Sequence, residues 1–135
     1  MNAITKLTTA AVAVSLAAAG VAVAADAPVV SKQDTIKGTA PLTIPGTGVK
    51  KGDKLPAGAR IVHRDVTLEG RQTVRITLTA PKGDTIRGVG IPEGSDVGGV
   101  ALTKDYVGRR RVVIRAFLSP HADGEATGGI YALTR

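Results

Sequence analysis

Apolar and polar residues alternate along much of the chain. In 71–80, Val74, Ile76, Leu78 and Ala80 point one way while Thr73, Arg75, Thr77 and Thr79 point the other. Successive side chains of an extended chain lie on opposite faces, so this period of two predicts a strand with one face in a core and one in solvent. Residues 110–118 repeat the pattern, with Val112, Ile114, Ala116 and Leu118 opposed to Arg111, Val113, Arg115 and Phe117. Apolar residues fall on both faces of that segment, which predicts a central strand. Residues 125–133 set Ala126, Gly128, Ile130 and Ala132 against Thr127, Gly129, Tyr131 and Leu133. Weaker signals of the same kind span 61–68, 85–91 and 97–103.

Gly- and Pro-containing breaks separate these segments, and no window after residue 25 carries a helical period. Strands recurring roughly every 8–12 residues between such turns predict an all-β fold, a small antiparallel β-sandwich of immunoglobulin-like rhythm or a partly open barrel. The resemblance to an immunoglobulin domain is one of rhythm alone, because the Cys…Trp…Cys marks are absent. Glu69-Gly70 between two strand signals predicts a hairpin of 61–68 with 71–80, with Gly supplying a positive φ. Residues 26–48, dense in Pro, Gly and Thr, read as a flexible or loosely ordered arm, and 49–135 as a single β domain.

The first 25 residues differ in kind. A short stretch carrying Lys6 leads into an Ala-, Val- and Leu-rich run, and Ala22-Val23-Ala24 precedes Asp26. This is the layout of a secretory signal helix cleaved near Ala24 or Ala25. Thr8, Thr9, Ser15 and the abundance of Ala make the run a poor permanent anchor. Cleavage removes Lys6 and lowers the net charge from +7 to +6. The expected location is secreted, extracellular or associated with the cell envelope, as for a bacterial export substrate.

Composition narrows the chemistry. The chain has no Cys and no Trp, one Phe and two Tyr. Disulfides, thiolate metal sites and Cys nucleophiles are therefore excluded, and the core must be aliphatic. Ser95 lies in Gly94-Ser95-Asp96-Val97-Gly98, which does not match a nucleophile elbow. Gly46-Thr47-Gly48-Val49-Lys50-Lys51-Gly52 breaks the spacing of phosphate-binding loops. Glu69, Glu93 and Glu125 sit at predicted turns or strand starts, without the aromatic platforms that sugar sites use. No catalytic residue and no cofactor is expected.

Two patterns remain. His63-Arg64-Asp65 and His121-Ala122-Asp123 each place His and Asp two apart, on one side of an extended chain. His63, Asp65, His121 and Asp123 are thus the candidate metal ligands, weighed against two solvated polar pairs. The second pattern is basic. Arg109, Arg110 and Arg111 open a strand that continues to Arg115, and Arg64, Arg71 and Arg75 lie on strands that could neighbour it. Guanidinium groups suit phosphate and carboxylate, whereas the scarcity of stacking aromatics argues against nucleic acid. The plainer reading is a solvated face that keeps a strand edge from aggregating.

The expected function is an exported, non-enzymatic binding or structural module meeting an anionic envelope polymer or an acidic protein surface. The alternatives are a small secreted metal-dependent hydrolase, or an inhibitor or effector presenting the 91–96 loop.

Overall fold

The structure is a computed structural model and describes residues 26–103, 105–120 and 124–135. Residues 1–25, where the signal helix is expected, and His121 and Asp123 lie outside the described residues. Seven strands form, β1 (Asp34–Ile36), β2 (Arg60–Glu69), β3 (Gln72–Thr79), β4 (Ile86–Gly90), β5 (Val97–Leu102), β6 (Arg111–Leu118) and β7 (Glu125–Thr134). They make two antiparallel sheets, one in the order β1-β2-β7-β4 and the other in the order β3-β6-β5. Among the described residues there is no helix.

The period-two faces fall where the sequence puts them. Val74, Ile76, Leu78 and Ala80 from β3 and its end meet Val112, Ile114, Ala116 and Leu118 from β6 in a core between the sheets. Ala126, Ile130 and Ala132 of β7 and Val62, Val66 and Leu68 of β2 close it from the other side. Each fully buried branched side chain contributes roughly 1.5–3 kcal/mol, which must offset chain entropy without a disulfide. β6 is the central strand of its sheet.

The predicted hairpin does not form. Gly70 adopts the positive φ expected of it, 73°. The connection nevertheless carries the chain from one sheet to the other, so β2 pairs with β7 over ten residues and β3 pairs with β6. Nor does the immunoglobulin rhythm extend to immunoglobulin topology. That fold would place strands 1-2-5-4 and 3-6-7 in its sheets, whereas here β5 and β7 exchange places.

Between β1 and β2 the chain makes a long excursion over the outer face of the four-stranded sheet. Ala40, Leu42, Ile44, Val49 and Leu55 pack there on Ile61 and Leu133, forming a second apolar cluster. The excursion is held by bridges of Thr39 with Lys54 and of Ile44 with Val49. Gly88 and Gly90 of β4 let it lie close. A β-carbon on Gly88 would come within 2.5 Å of the Thr47 methyl and 2.9 Å of the Ile44 γ-methyl. Before β1, Ala27 bridges Val74 of β3, so the segment from Ala27 to Asp34 passes from one sheet to the other and covers their shared side.

Candidate functional site

Two polar regions stand out, one on the outer face of each sheet. On the three-stranded sheet, Arg75 and Arg115 are direct cross-strand partners. Their side chains share the solvent face, where two like charges would repel. Asp26 sits between them. Its Oδ1 accepts hydrogen bonds from Thr73 Oγ1 at 2.9 Å and from Arg115 Nε at 3.0 Å, and its Oδ2 lies 3.6 Å from Arg75 Nε. The Thr73 hydrogen bond is the largest cause holding the Asp26 carboxyl below its ordinary value near 3.8; burial, next in size, opposes it, and the Arg115 hydrogen bond and the charges of Arg115 and Arg75 add to the lowering. The Ala27 N–H bonds to the Thr73 carbonyl at 2.8 Å and fixes the position of this carboxylate.

The four arginines singled out in the sequence do not form one cluster. Arg111 and Arg115 share the outer face of β6, as the period requires. Arg110 turns aside and donates from Nη2 to the Ala80 carbonyl at 3.2 Å. Arg109 precedes the strand and, with Arg111, Thr103, Asp105, Tyr106 and Val113, borders an open hollow. Arg71 is exposed beside β3. Arg64 belongs to the other sheet and pairs with Ile130 on its inner face, its Nε buried without a hydrogen-bond partner. Arg75 completes the basic site. Its strand was evident from the sequence, but its place opposite Arg115 depends on long-range register.

On the four-stranded sheet, residues of one cross-strand row meet. Asp34, His63 and Tyr131 align across β1, β2 and β7. The His63 and Tyr131 rings stack with centroids 4.5 Å apart and planes 14° from parallel. Asp65, two residues along from His63, lies on the same face, as extended spacing predicts. Its Oδ2 is 3.1 Å from His63 Nδ1, without the alignment of a hydrogen bond. Its Oδ1 accepts from the Tyr131 hydroxyl at 3.3 Å. Burial of the ring raises the Tyr131 pKa above 10, and the Asp65 carboxylate raises it further.

This constellation supplies one imidazole, one phenol and the Asp65 carboxylate, with Asp34 across from His63 in the same row. Among the described residues no group of three His, Asp or Glu is placed to hold a metal ion. Tyr131 was missed at the sequence level, because nothing local reveals that it stands beside His63.

The basic face offers a fork of two guanidinium groups and a hydroxyl aimed at one carboxylate, which is anion recognition. The acidic face offers a stacked, hydrogen-bonded polar patch over the second apolar cluster. No protein-family model, no curated protein and no solved structure matches the chain.

Proposed function

We propose that the protein is an exported, non-catalytic binding module whose three-stranded sheet contacts anionic polymers of the cell envelope. The reading is carried by the Asp26 carboxylate, which is bonded to Thr73 and Arg115 and faces Arg75. A side-chain carboxylate held this way marks a place where a carboxylate or phosphate of a polymer would bind. Asp26 supplies one negative charge against two arginines, and Arg111 on the same face adds a third positive charge. The face keeps a positive field that would draw in a polyanion. Arg111 and Arg109 extend it towards β5.

Retention on immobilised polyphosphate and on poly-glutamate, measured from 0.05 to 0.5 M salt, tests the reading. Arg75→Ala combined with Arg111→Ala and Arg115→Ala should lower affinity at least tenfold and flatten the salt dependence. Equal retention of the triple variant overturns the reading. A preference between the two polymers would separate phosphate from carboxylate recognition.

The metal-dependent hydrolase is the second reading. It draws support from His63 and Asp65, which the fold brings to 3.1 Å. It needs His121 and Asp123 as further ligands. Stoichiometric zinc or copper in protein purified without chelators, lost in His63→Ala, would favour it.

A further inference from the structure

Among the described residues, three of the four edge strands are partly covered, short or charged, and one is none of these. The free edge of β3 is covered at both ends: the Ala27 N–H binds the Thr73 carbonyl, and the Gln33 side-chain amide binds both the N–H and the carbonyl of Thr79, at 2.9 and 2.8 Å. At the free edge of β4, the Ile86 N–H donates to the Arg109 carbonyl at 2.6 Å and the Ile86 carbonyl accepts from the Gly108 N–H at 2.8 Å. β1 is only three residues long and carries Asp34. Short length and charge are the ordinary ways of blunting an edge. β5 has neither protection. It is six residues, Val97–Leu102, and the only strand of the seven without a charged residue.

The alternation of an antiparallel ladder shows which groups of β5 are open. Thr103 bonds through its N–H to the Val113 carbonyl, so Ala101 and Gly99 also face β6 with their peptide groups. The N–H and carbonyl groups of Val100 and Leu102 therefore point away from the sheet. Their side chains are 38% and 45% exposed, although they lie on the face whose β6 partners, Ala116 and Ile114, are buried. β5 overhangs the opposite sheet, leaving apolar side chains and unpaired peptide groups at one place.

We infer that β5 pairs antiparallel with β5 of a second copy of this chain, joining the two three-stranded sheets into one of six strands. Charge selects the occupant. Antiparallel self-pairing sets a strand against a second copy of its own residues, and in the charge-free β5 it brings no like charges together at any register. The pairing also sets the entry end of each β5, which follows Glu93 and Asp96, beside the exit end of the other, where Arg109 and Arg111 outnumber Asp105.

The open peptide groups fix the register. Val100 faces Leu102 of the partner subunit and Leu102 faces the partner's Val100, giving four hydrogen bonds about a two-fold axis through Ala101. Val100 and Leu102 of the two copies then cover one another on the overhanging face. Small Ala101 side chains meet on the other. A two-fold contact of this kind closes on itself and does not propagate.

The test uses the purified protein, its N-terminus read by mass spectrometry, in sedimentation equilibrium at 0.15 and 0.5 M salt. A monomer–dimer equilibrium is expected, tighter at the higher salt because the two copies carry like net charge. Leu102→Lys should weaken it at least tenfold. Leu102→Pro should do the same, since the lost N–H faces outward and makes no bond within the sheet. Circular dichroism matching the parent establishes that both variants fold.

The chain has no cysteine, so Ala101→Cys gives an independent readout. On oxidation it should form a covalent dimer, whereas Arg71→Cys at an exposed site of β3's entry should not. A monomeric parent at about 0.1 mM, or a dimer indifferent to Leu102→Lys and Leu102→Pro, overturns the inference. Equal cross-linking of Ala101→Cys and Arg71→Cys does so as well.

Discussion

A β-carbon on Gly129 would lie 2.5 Å from Asp65 Oδ1 and 3.1 Å from Tyr131 Cε1. The two residues are cross-strand partners on β2 and β7, and the missing side chain is what lets the Asp65 carboxylate lean across to the Tyr131 hydroxyl. The polar patch on this sheet is therefore built by an absence as much as by its three side chains.

Gly129→Ala should push the Asp65 carboxylate away from Tyr131. Asp65 is mostly exposed and can swing into solvent, so the cost should be modest, about 1 kcal/mol for the lost hydrogen bond. The sharper readout is the phenol. Burial, the larger cause of its raised pKa, persists, but the contribution of Asp65 goes. Tyr131 should ionise at lower pH in Gly129→Ala and in Asp65→Asn than in the parent. Ultraviolet titration, assigned by difference against Tyr131→Phe, measures this.

The same phenol predicts an alkaline limit. A pKa raised in the folded state means that the native protein holds its proton more tightly than the unfolded chain does. Stability is therefore unaffected by this group below pH 10 and falls as pH rises through 10 towards the folded value. In Tyr131→Phe the ring still stacks on His63 and the ionisation is gone. Urea midpoints from pH 8 to 11 should fall more steeply in the parent than in this variant. Parallel curves would assign the alkaline loss to other groups.

Asp26 gives the opposite sign at acid pH. Its carboxyl is held below its ordinary value near 3.8, first by Thr73 and then by Arg115 and Arg75. The stabilisation it contributes is complete above that value and disappears as pH falls through the folded pKa. The difference in urea midpoint between the parent and Asp26→Asn should thus be constant at neutral pH and close below about pH 4. Removing the carboxylate also leaves Arg75 and Arg115 opposed without an anion. If the proposed site is correct, Asp26→Asn should bind polyphosphate more tightly than the parent while being less stable.

How much of this could be read from the chain follows the range of the interactions involved. The faces of β3, β6 and β7 were legible because period two is local: Val74, Ile76 and Leu78 alternate with Arg75 and Thr77 whatever they pair with. The same locality explains why His63 and Asp65 could be placed together. Pairing was not legible. Glu69-Gly70 turns the chain sharply, as expected, but an identical turn serves a hairpin and a crossing between sheets. The choice is made by the ten-residue register of β2 with β7, some sixty positions away. Tyr131 beside His63 and Arg75 beside Arg115 are consequences of such registers and could not be read earlier. In 39–49 the density of Pro and Gly hides the spacing of Ala40, Leu42 and Ile44, whose burial depends on Ile61 and Leu133 waiting on the sheet.

Gly88→Ala tests how firmly that excursion is seated. The added methyl would meet the Thr47 and Ile44 side chains below van der Waals distance and the Pro45 carbonyl at 3.3 Å. Ile44 is fully buried and has little room to move. Overpacking of this kind typically costs about 1–3 kcal/mol. The loss should be felt locally as well, as faster hydrogen exchange at the Ile44 and Ala40 amides, which bond to Val49 and Asp53. Unchanged exchange there, with a lowered midpoint, would place the strain in β4 and not in the excursion.

Gln33 is the last test, because it separates protection of an edge from ordinary surface bonding. Its side-chain amide imitates a peptide group, donating to the Thr79 carbonyl and accepting from the Thr79 N–H at the end of β3. Both bonds are exposed, so Gln33→Ala should cost only about 1 kcal/mol. Its effect on association should be larger than that cost suggests. With Thr79 uncovered, its peptide groups join the outward-facing ones of Arg75 and Thr77 as a longer open edge on the opposite side of the sheet from β5, and a molecule with two usable edges can chain where one with a single usable edge stops at a pair. Light scattering of Gln33→Ala should show species larger than a dimer, and Gln33→Ala combined with Leu102→Lys should abolish them. Faster exchange of the Thr79 amide without any growth in size would show that Gln33 orders the strand end but does not guard it.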